Sequence, residues 1–273
     1  MNLSISEKLA YSTVRIECQY KSGVIGTGTG FFMDFCENKT TNQHIPVIIT
    51  NKHVIHEKIH GIAVSGRVLF TTCNDSGIPI NTEHFSFTFN DFEKLWTRHP
   101  NSNIDLCVMP IAPYIRKAEE MKVKLFYISF PMNLIPTKGQ LNQLVEVEDI
   151  LMIGYPNGLW DNVNNKPIFR KGITATNINI DYRGKKEFLI DAACFPGSSG
   201  SPVLVYSEGS YATRDGVTIG TRIYLVGILY AGPQLTVEGD IQVKDVPVAQ
   251  VPVASSNIPM NLGYVIKSEC IKD

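Results

Sequence analysis

Short runs rich in β-branched, aromatic and other apolar residues recur along the chain, and they constrain its fold more than any other feature. Gly, Pro, Asn or Asp separates most of these runs, a pattern typical of an all-β sandwich or barrel. Helical patterning is confined to Ser4–Ala10 and Tyr114–Lys124, so the runs do not alternate with long helices as in a parallel α/β fold. The predicted strands are Thr13–Cys18, Gly30–Phe35, Pro46–Thr50, Arg67–Thr72, Phe85–Phe89, Leu106–Ile111, Ile150–Gly154, Phe188–Asp191, Pro202–Tyr206 and Tyr224–Tyr230.

Length and charge limit the class of protein. The chain has 273 residues and is 44% hydrophobic, enough to bury a core, which excludes a wholly disordered chain and fits one large domain or two small ones. Its 25 basic and 26 acidic side chains give a formal net charge of −1. Such a balance provides no bulk attraction to nucleic acid or to an anionic membrane, so we expect neither as a partner.

The N-terminal sequence and the cysteines favour a cytoplasmic protein. The first twenty residues lack the apolar stretch of a secretory signal, and no apolar run approaches the ~18 residues that a membrane span needs. The six cysteines show no C-x-x-C pair, and we interpret them as free thiols, with three disulfides as the alternative. A repeat over Val246–Ala254 (VPVAQVPVA) is interpreted as an exposed loop or edge segment, because its prolines forbid a central strand.

The segment His56–His60 (HEKIH) matches the H-E-x-x-H pattern of zinc hydrolases. On a helix, its two histidines would share a zinc ion and Glu57 would act as general base. However, Gly61 follows at once, where a helix ends rather than continues, and no third histidine follows at the expected spacing. We therefore expect His56 and His60 to be solvated residues on a short turn of helix and expect no metal, with zinc hydrolysis as a remote alternative.

A second motif, Phe195–Pro202 (FPGSSGSP), has the composition of a nucleophile turn, because its glycines allow backbone amides to converge on a developing oxyanion. With Ser199 as nucleophile, the donors are its own amide and that of Gly197. A serine nucleophile also needs a base and a group that orients the base. His53, which follows an apolar run, is the natural base, and Asp105, which precedes another, is the natural orienting acid. Ser198 and Ser201 are rival nucleophiles that lie out of register.

With these residues placed, the chain resembles a chymotrypsin-fold (trypsin-like) serine peptidase, most of all the protease domain of the HtrA/Deg family. Six blocks match in order and span nearly the whole chain. They are Gly26–Phe32 (GTGTGFF), Thr50–Val54 (TNKHV), Ile104–Val108 (IDLCV), Asp149–Leu159 (DILMIGYPNGL), Asp191–Pro202 (DAACFPGSSGSP), and Gly227–Ile228 together with Gly263–Ile266.

The resemblance implies two six-stranded antiparallel Greek-key barrels with a few short helices and the active site between them. His53 and Asp105 would belong to a first barrel over residues 1–135, and Ser199 to a second over residues 136–273, which together form one peptidase domain. The implied chemistry is hydrolysis of peptide bonds through an acyl-enzyme, with no cofactor. Because only a few residues follow Ile266, we expect no PDZ domain of the kind that HtrA-type enzymes usually append.

The chain departs from the family pattern at two positions of the serine block. Ser201 replaces the usual glycine, which leaves open a weakened or inactive protein that uses its cleft to bind peptides. Ser198 stands where digestive relatives carry an aspartate that receives a newly cut N-terminus, so we do not expect activation by propeptide cleavage. The sequence supports no particular oligomer.

Specificity follows from the same alignment of motifs. Ala193 occupies the position at which trypsin-like enzymes carry an acidic pocket floor, so cleavage after Lys or Arg is disfavoured and a small or medium apolar side chain is expected. An extended protein or peptide substrate would pair with the edge at Tyr230–Gly232. The expected substrate-binding residues are Ala193, Cys194, Phe195, Tyr230, Ala231, Gly232 and Gly263.

Overall fold

Antiparallel strands make up about half of the computed structural model, which describes residues 3–38, 43–213, 216–240 and 253–273. The strands of the first half are β1 (Thr13–Tyr20), β2 (Ile25–Asn38), β3 (Gln43–Thr50), β4 (His56–Glu57), β5 (Gly61–Cys73), β6 (Pro79–Asn90), β7 (Thr97–Arg98), β8 (Cys107–Pro110) and β9 (Leu125–Phe126). Those of the second half are β10 (Asp149–Gly154), β11 (Ile168–Thr174), β12 (Glu187–Asp191), β13 (Pro202–Ser207), β14 (Ser210–Thr213), β15 (Gly216–Ile219), β16 (Arg222–Ala231), β17 (Gln234–Asp240), β18 (Val253–Pro259) and β19 (Leu262–Lys267). The all-β prediction is confirmed.

Helices are few and short, as the sequence predicts. They are α1 (Ile5–Leu9), α2 (Lys52–Ile55), α3 (Ala112–Glu120) and α4 (Lys138–Leu141), with 3₁₀ turns at Phe92–Leu95, Met132–Leu134, Pro156–Gly158, Tyr182–Gly184 and Ser268–Ile271. Ser4 begins α1 with a reciprocal capping box to Glu7. In the described part of the chain, no helix has the length and apolarity needed to cross a membrane.

The first half is a curled nine-stranded sheet in the order β4-β5-β1-β2-β3-β8-β7, with β6 and β9 both paired to β5. Within the described residues its pairing path remains open between β6 and β7, which differs from the closed six-stranded barrel that the resemblance implies. β7, at the far edge of the sheet, is two residues long and pairs with β8. The aromatic rings of Phe89, Phe92 and Trp96 pack along the segment that joins β6 to β7, with centroid separations of 5.5 and 5.6 Å.

The second half is a closed six-stranded barrel in the order β10-β11-β12-β19-β16-β13, as predicted. Hairpins β14–β15 and β17–β18 are separate two-stranded sheets. Most of the VPVAQVPVA repeat, as far as Pro252, lies outside the described residues, and β18 begins at Val253.

Among the described residues, one of the three buried apolar clusters contains side chains from both halves. It contains Phe31 and Ile49 from the first sheet together with Ile153, Leu204 and Ile228 from the barrel, each at most 1% exposed. Burial of large apolar side chains contributes about 1.5–3 kcal/mol each, so this shared core fixes β2 and β3 against β10, β13 and β16. The loops that carry the predicted active-site residues are held at this junction.

Candidate active site

His53 and Asp105 meet at the edge of the first sheet. His53 lies in α2, directly after β3, and Asp105 lies in the loop before β8, which pairs with β3. His53 Nδ1 is 2.5 Å from Asp105 Oδ2, and the backbone amide of His53 donates to Asp105 Oδ1 at 3.1 Å. The carboxylate therefore fixes both the ring and the backbone of the histidine, and leaves Nε2 for other partners.

Side chains next to His53 donate hydrogen bonds to the loop that carries Asp105. Asn51 is fully buried, and its Nδ2 donates to the Asp105 carbonyl oxygen at 2.8 Å. Lys52 Nζ donates to the carbonyl oxygen of Asn101 at 3.0 Å. Burial lowers the pKa of the Lys52 ammonium, while Asp105 opposes that shift. The His53–Asp105 geometry is thus reinforced by hydrogen bonds from the two residues that precede His53.

Three serines of the Phe195–Pro202 motif have different environments. Ser198 and Ser201 are 1% and 0% exposed, and their hydroxyl oxygens have no hydrogen-bond partner among the described residues. Ser199 is partly exposed, and its Oγ donates to the carbonyl oxygen of Tyr230 at 3.4 Å. The described hydrogen bonds of Ser199 Oγ include none with His53. Only Ser199 of the three presents its hydroxyl to the cleft.

The turn around Ser199 presents unpaired amides. The amide of Asn157 donates to the Pro196 carbonyl oxygen at 2.6 Å. The peptide bond between Pro196 and Gly197 is trans, so its C=O and N–H point in opposite directions. The Gly197 amide therefore points away from Asn157. Within the described part of the chain, the amides of Gly197 and Ser199 donate to no recorded acceptor. Gly197 has φ +84°, and a Cβ there would lie 2.6 Å from the Tyr155 carbonyl oxygen, so the turn requires glycine.

Thr29 of β2 holds this turn from the other half of the molecule. Its Oγ1 donates to the Gly197 carbonyl oxygen at 2.9 Å and accepts from the Tyr155 amide at 3.1 Å. Its backbone amide donates to the Ser199 carbonyl oxygen at 2.9 Å. Thr29 and Asn157 were not among the predicted site residues, although both lie in segments that match family blocks.

Ser201, the departure from the family pattern, packs away from the unpaired amides. Its hydroxyl faces Gly154 of β10, where an added Cβ would lie 2.0 Å from Ser201 Oγ. The extra side chain therefore occupies space that the absent Cβ of Gly154 leaves, and it does not crowd Gly197.

A cavity of about 250 Å³ opens beside Ser199. Four of the predicted substrate-binding residues line it, namely Cys194, Phe195, Ala231 and Gly232. Burial raises the pKa of the Cys194 thiol to about 11, so the wall it forms is neutral. The sequence prediction did not include the other lining residues, which are Pro196, Leu229 and Pro233.

The remaining three predicted substrate-binding residues lie around this cavity without lining it. The Ala193 carbonyl oxygen accepts from Arg170 Nη1 at 3.0 Å, and Gly263 packs behind Cys194. Tyr230 turns its ring into a second cavity, of about 530 Å³, which Asp105 also lines. Its hydroxyl donates to Glu187 Oε2 at 2.5 Å, and burial raises its pKa.

The H-E-x-x-H pattern does not form a helical pair of histidines. Helix α2 ends at Ile55, His56 and Glu57 form the short strand β4, and His60 lies in the following turn, so the expected turn of helix is absent there. His56 Nδ1 is 2.8 Å from Arg98 Nη2, and Glu57 accepts from the His60 amide. Across the described ranges, no group of three or more His, Cys, Asp or Glu side chains is placed to hold a metal ion.

Comparison with known proteins gives one family match. The family model described as a trypsin-like peptidase domain matches residues 28–213. No curated protein matches the chain.

Similar solved structures are distant. They include the active form of the Rv3671c protease from M. tuberculosis, at 12% identity and TM-score 0.42, with 96% of this chain and 78% of that chain covered. Deg5 is similar at 16% identity and TM-score 0.44, with 85% and 88% covered. Tobacco etch virus protease, in complex with product, is similar at 14% identity and TM-score 0.46, with 85% and 72% covered.

Proposed function

Because this chain belongs to the trypsin-like peptidase domain family, we propose that it is a serine endopeptidase of HtrA-like type whose nucleophile is Ser199. In this proposal His53 is the general base and Asp105 orients it. Residues 1–135 and 136–273 are the two halves of one catalytic unit, divided where the chain passes from the first sheet to the barrel.

The observation that carries the proposal is the shape of the Ser199 turn. A partly exposed hydroxyl stands beside two backbone amides that have no recorded acceptor among the described residues. Backbone donors aimed at a developing oxyanion stabilise the transition state of acyl transfer, and removal of one such donor typically costs about 10²–10³ in rate. A buried structural turn would instead satisfy these amides.

The proposed reaction proceeds in two halves. The Ser199 hydroxyl turns from Tyr230 toward His53, gives its proton to Nε2 and attacks the substrate carbonyl carbon. The amides of Gly197 and Ser199 receive the oxyanion, and His53 returns the proton to the leaving amine, which leaves an acyl-enzyme. Water then hydrolyses the ester, with His53 again as base. Asp105 holds the imidazole in the required tautomer throughout.

The proposed substrate is a peptide in extended conformation with a small or medium apolar residue before the scissile bond. The cavity beside Ser199 supports this, because its lining side chains carry no charge and its thiol is neutral. An apolar pocket discriminates by size and by desolvation of polar groups, so a Lys or Arg side chain would be disfavoured there.

Labelling with a fluorophosphonate probe tests the nucleophile. We expect the native protein to form a covalent adduct and Ser199→Ala to form none. Ser198→Ala is the matched control, since it removes a buried neighbouring hydroxyl and should leave labelling intact. Equal labelling of native protein and Ser199→Ala would contradict the assignment, and a native protein that binds peptides without labelling would favour the alternative of a peptide-binding module.

A further inference from the structure

The turn Pro156–Gly158, between β10 and β11, lies against both the Ser199 turn and the opposite half of the molecule. Its central residue, Asn157, has left-handed backbone angles (φ 51°, ψ 26°), which are uncommon for a residue other than glycine. The Asn157 amide donates to the Pro196 carbonyl oxygen at 2.6 Å. The peptide between Pro196 and Gly197 therefore takes its orientation from this turn.

Arg15, on β1 of the first sheet, reaches the same turn. Its Nε donates to the Gly158 carbonyl oxygen at 3.2 Å. Its guanidinium carbon lies 4.1 Å from the centroid of the Trp160 ring, and its Nη1 pairs with Glu17. The side chain is only 14% exposed, so its hydrogen bond and its stacking are both sheltered from water.

The turn, the Ser199 loop and β2 are in close contact. A Cβ on Gly158 would lie 3.3 Å from Thr27 Oγ1 and 3.4 Å from Arg15 Nη2. A Cβ on Gly197 would lie 3.1 Å from the Gly158 amide nitrogen. With so little free space, a shift of the turn is transmitted directly to Gly197.

We propose that Arg15 is a positioning residue for the oxyanion hole: it holds Gly158, so that Asn157 keeps the Pro196 carbonyl oxygen turned away and the Gly197 amide turned toward the substrate. The inference rests on the proposed function. Without the Arg15 contact, the turn would hold the 196–197 peptide less firmly, and rotation of that peptide would place a carbonyl oxygen where the oxyanion must lie. Ser199, His53 and Asp105 would stay in place, while the transition state would lose a hydrogen-bond donor.

Arg15→Met tests this, because it keeps a long apolar side chain over Trp160 and removes the donor. Arg67→Met, at an exposed position on the same sheet, is the matched control for loss of a guanidinium. The readouts are the rate of fluorophosphonate labelling as a function of pH, the free energy of unfolding in denaturant, and deuterium exchange of peptides that cover residues 153–160 and 194–200.

For Arg15→Met we expect the plateau of the labelling rate to fall about 10- to 100-fold, as for loss of a charged donor, with an unchanged pH midpoint. Exchange in the two peptides should accelerate, and Arg67→Met should match the native protein in every readout. Arg15→Lys, which retains a cationic donor, should recover part of the rate.

An unchanged plateau and unchanged exchange in folded Arg15→Met would overturn the inference, as would a shifted pH midpoint. If Arg15→Met fails to fold, Arg15→Lys decides by the same readouts. A native protein that does not label at all would instead contradict the proposed function, and deuterium exchange alone would then decide whether Arg15 orders the 194–200 turn.

Discussion

At the scale of single residues, neighbouring serines of identical chemistry differ because of the glycines around them. Gly197 and Gly200 both have left-handed backbone, with φ of +84° and +88°, and they bracket Ser198 and Ser199. The chain therefore turns sharply before and after this pair, which buries Ser198 and presents Ser199 to the cleft. The reactivity that we propose for Ser199 thus depends on backbone conformations that only glycine adopts at low cost.

Gly200→Ala should be strongly destabilising, and Gly209→Ala only mildly so. Both glycines have φ +88°, so both substitutions carry the conformational cost of about 1–2 kcal/mol. A Cβ at residue 200 would also lie 1.9 Å from the Thr29 carbonyl oxygen, whereas nothing lies within 4 Å of a Cβ at residue 209. We expect Gly200→Ala to lower the free energy of unfolding by about 4 kcal/mol or more in urea titrations.

Comparison of Gly200→Ala with Gly209→Ala separates the steric cost of the new Cβ from the conformational cost of its positive φ. Equal losses for Gly200→Ala and Gly209→Ala would show that the close approach of the Ser199 loop to β2 is wrong.

At the scale of elements, β2 organises the site although it supplies no proposed catalytic side chain. It pairs with β1 and β3, and its Thr29 contacts the Ser199 loop through both backbone and side chain. The Thr50 hydroxyl, at the end of β3, donates in turn to the Thr29 carbonyl oxygen at 2.7 Å. The segment that carries His53 and the loop that carries Ser199 are therefore fastened to one strand.

The sequence predicts the strands well, because a run of apolar residues between turn residues indicates a buried strand from local information alone. It also predicts the close approach of His53 and Asp105, through the order of the family blocks. It does not predict Thr29 or Arg15, because their contacts join residues 168 and 143 positions apart, and no local pattern encodes such pairs.

Gly154→Ala tests how closely β10 packs against the Ser199 loop. The new Cβ would lie 2.0 Å from Ser201 Oγ and 2.7 Å from Thr29 Oγ1, so we expect a loss of about 1–3 kcal/mol in the free energy of unfolding. In a Ser201→Gly background the first clash disappears and the second remains. The double variant should therefore recover part of the loss, as a double-mutant cycle in denaturant would measure. Strict additivity would mean that residues 154 and 201 are not in contact.

At the scale of the whole molecule, the segment after the Pro156–Gly158 turn docks the second half onto the first. Asn165 is buried, and its Nδ2 lies 3.3 Å from Thr71 Oγ1 of β5. The ammonium of Lys166 lies 3.0 Å from the centroid of the Tyr11 ring, near the N-terminus. Burial lowers the pKa of Lys166 from 10.5 to about 8, against opposing effects of Asp161 and Glu7. The junction between halves is therefore sensitive to protonation.

The sign of that sensitivity follows from proton linkage. Between pH 8 and pH 10.5 Lys166 keeps its proton in the unfolded chain but has released it in the folded protein. The unfolded state therefore binds more protons, and the contribution of Lys166 to the free energy of unfolding rises with pH. Relative to Lys166→Met, the native protein should gain about 1 kcal/mol in free energy of unfolding over this window, a value discounted because the ammonium is half exposed. Below pH 8 the difference in free energy of unfolding between the native protein and Lys166→Met should be constant.

Urea titrations from pH 7 to pH 10.5 measure this difference. Lys58→Met, at an exposed position, is the control for loss of a lysine. Parallel curves for the native protein and Lys166→Met would contradict a partly buried ammonium at the junction. Divergence confined to this window would locate the ammonium there, since Lys58→Met changes the net charge equally and alters no contact between the halves.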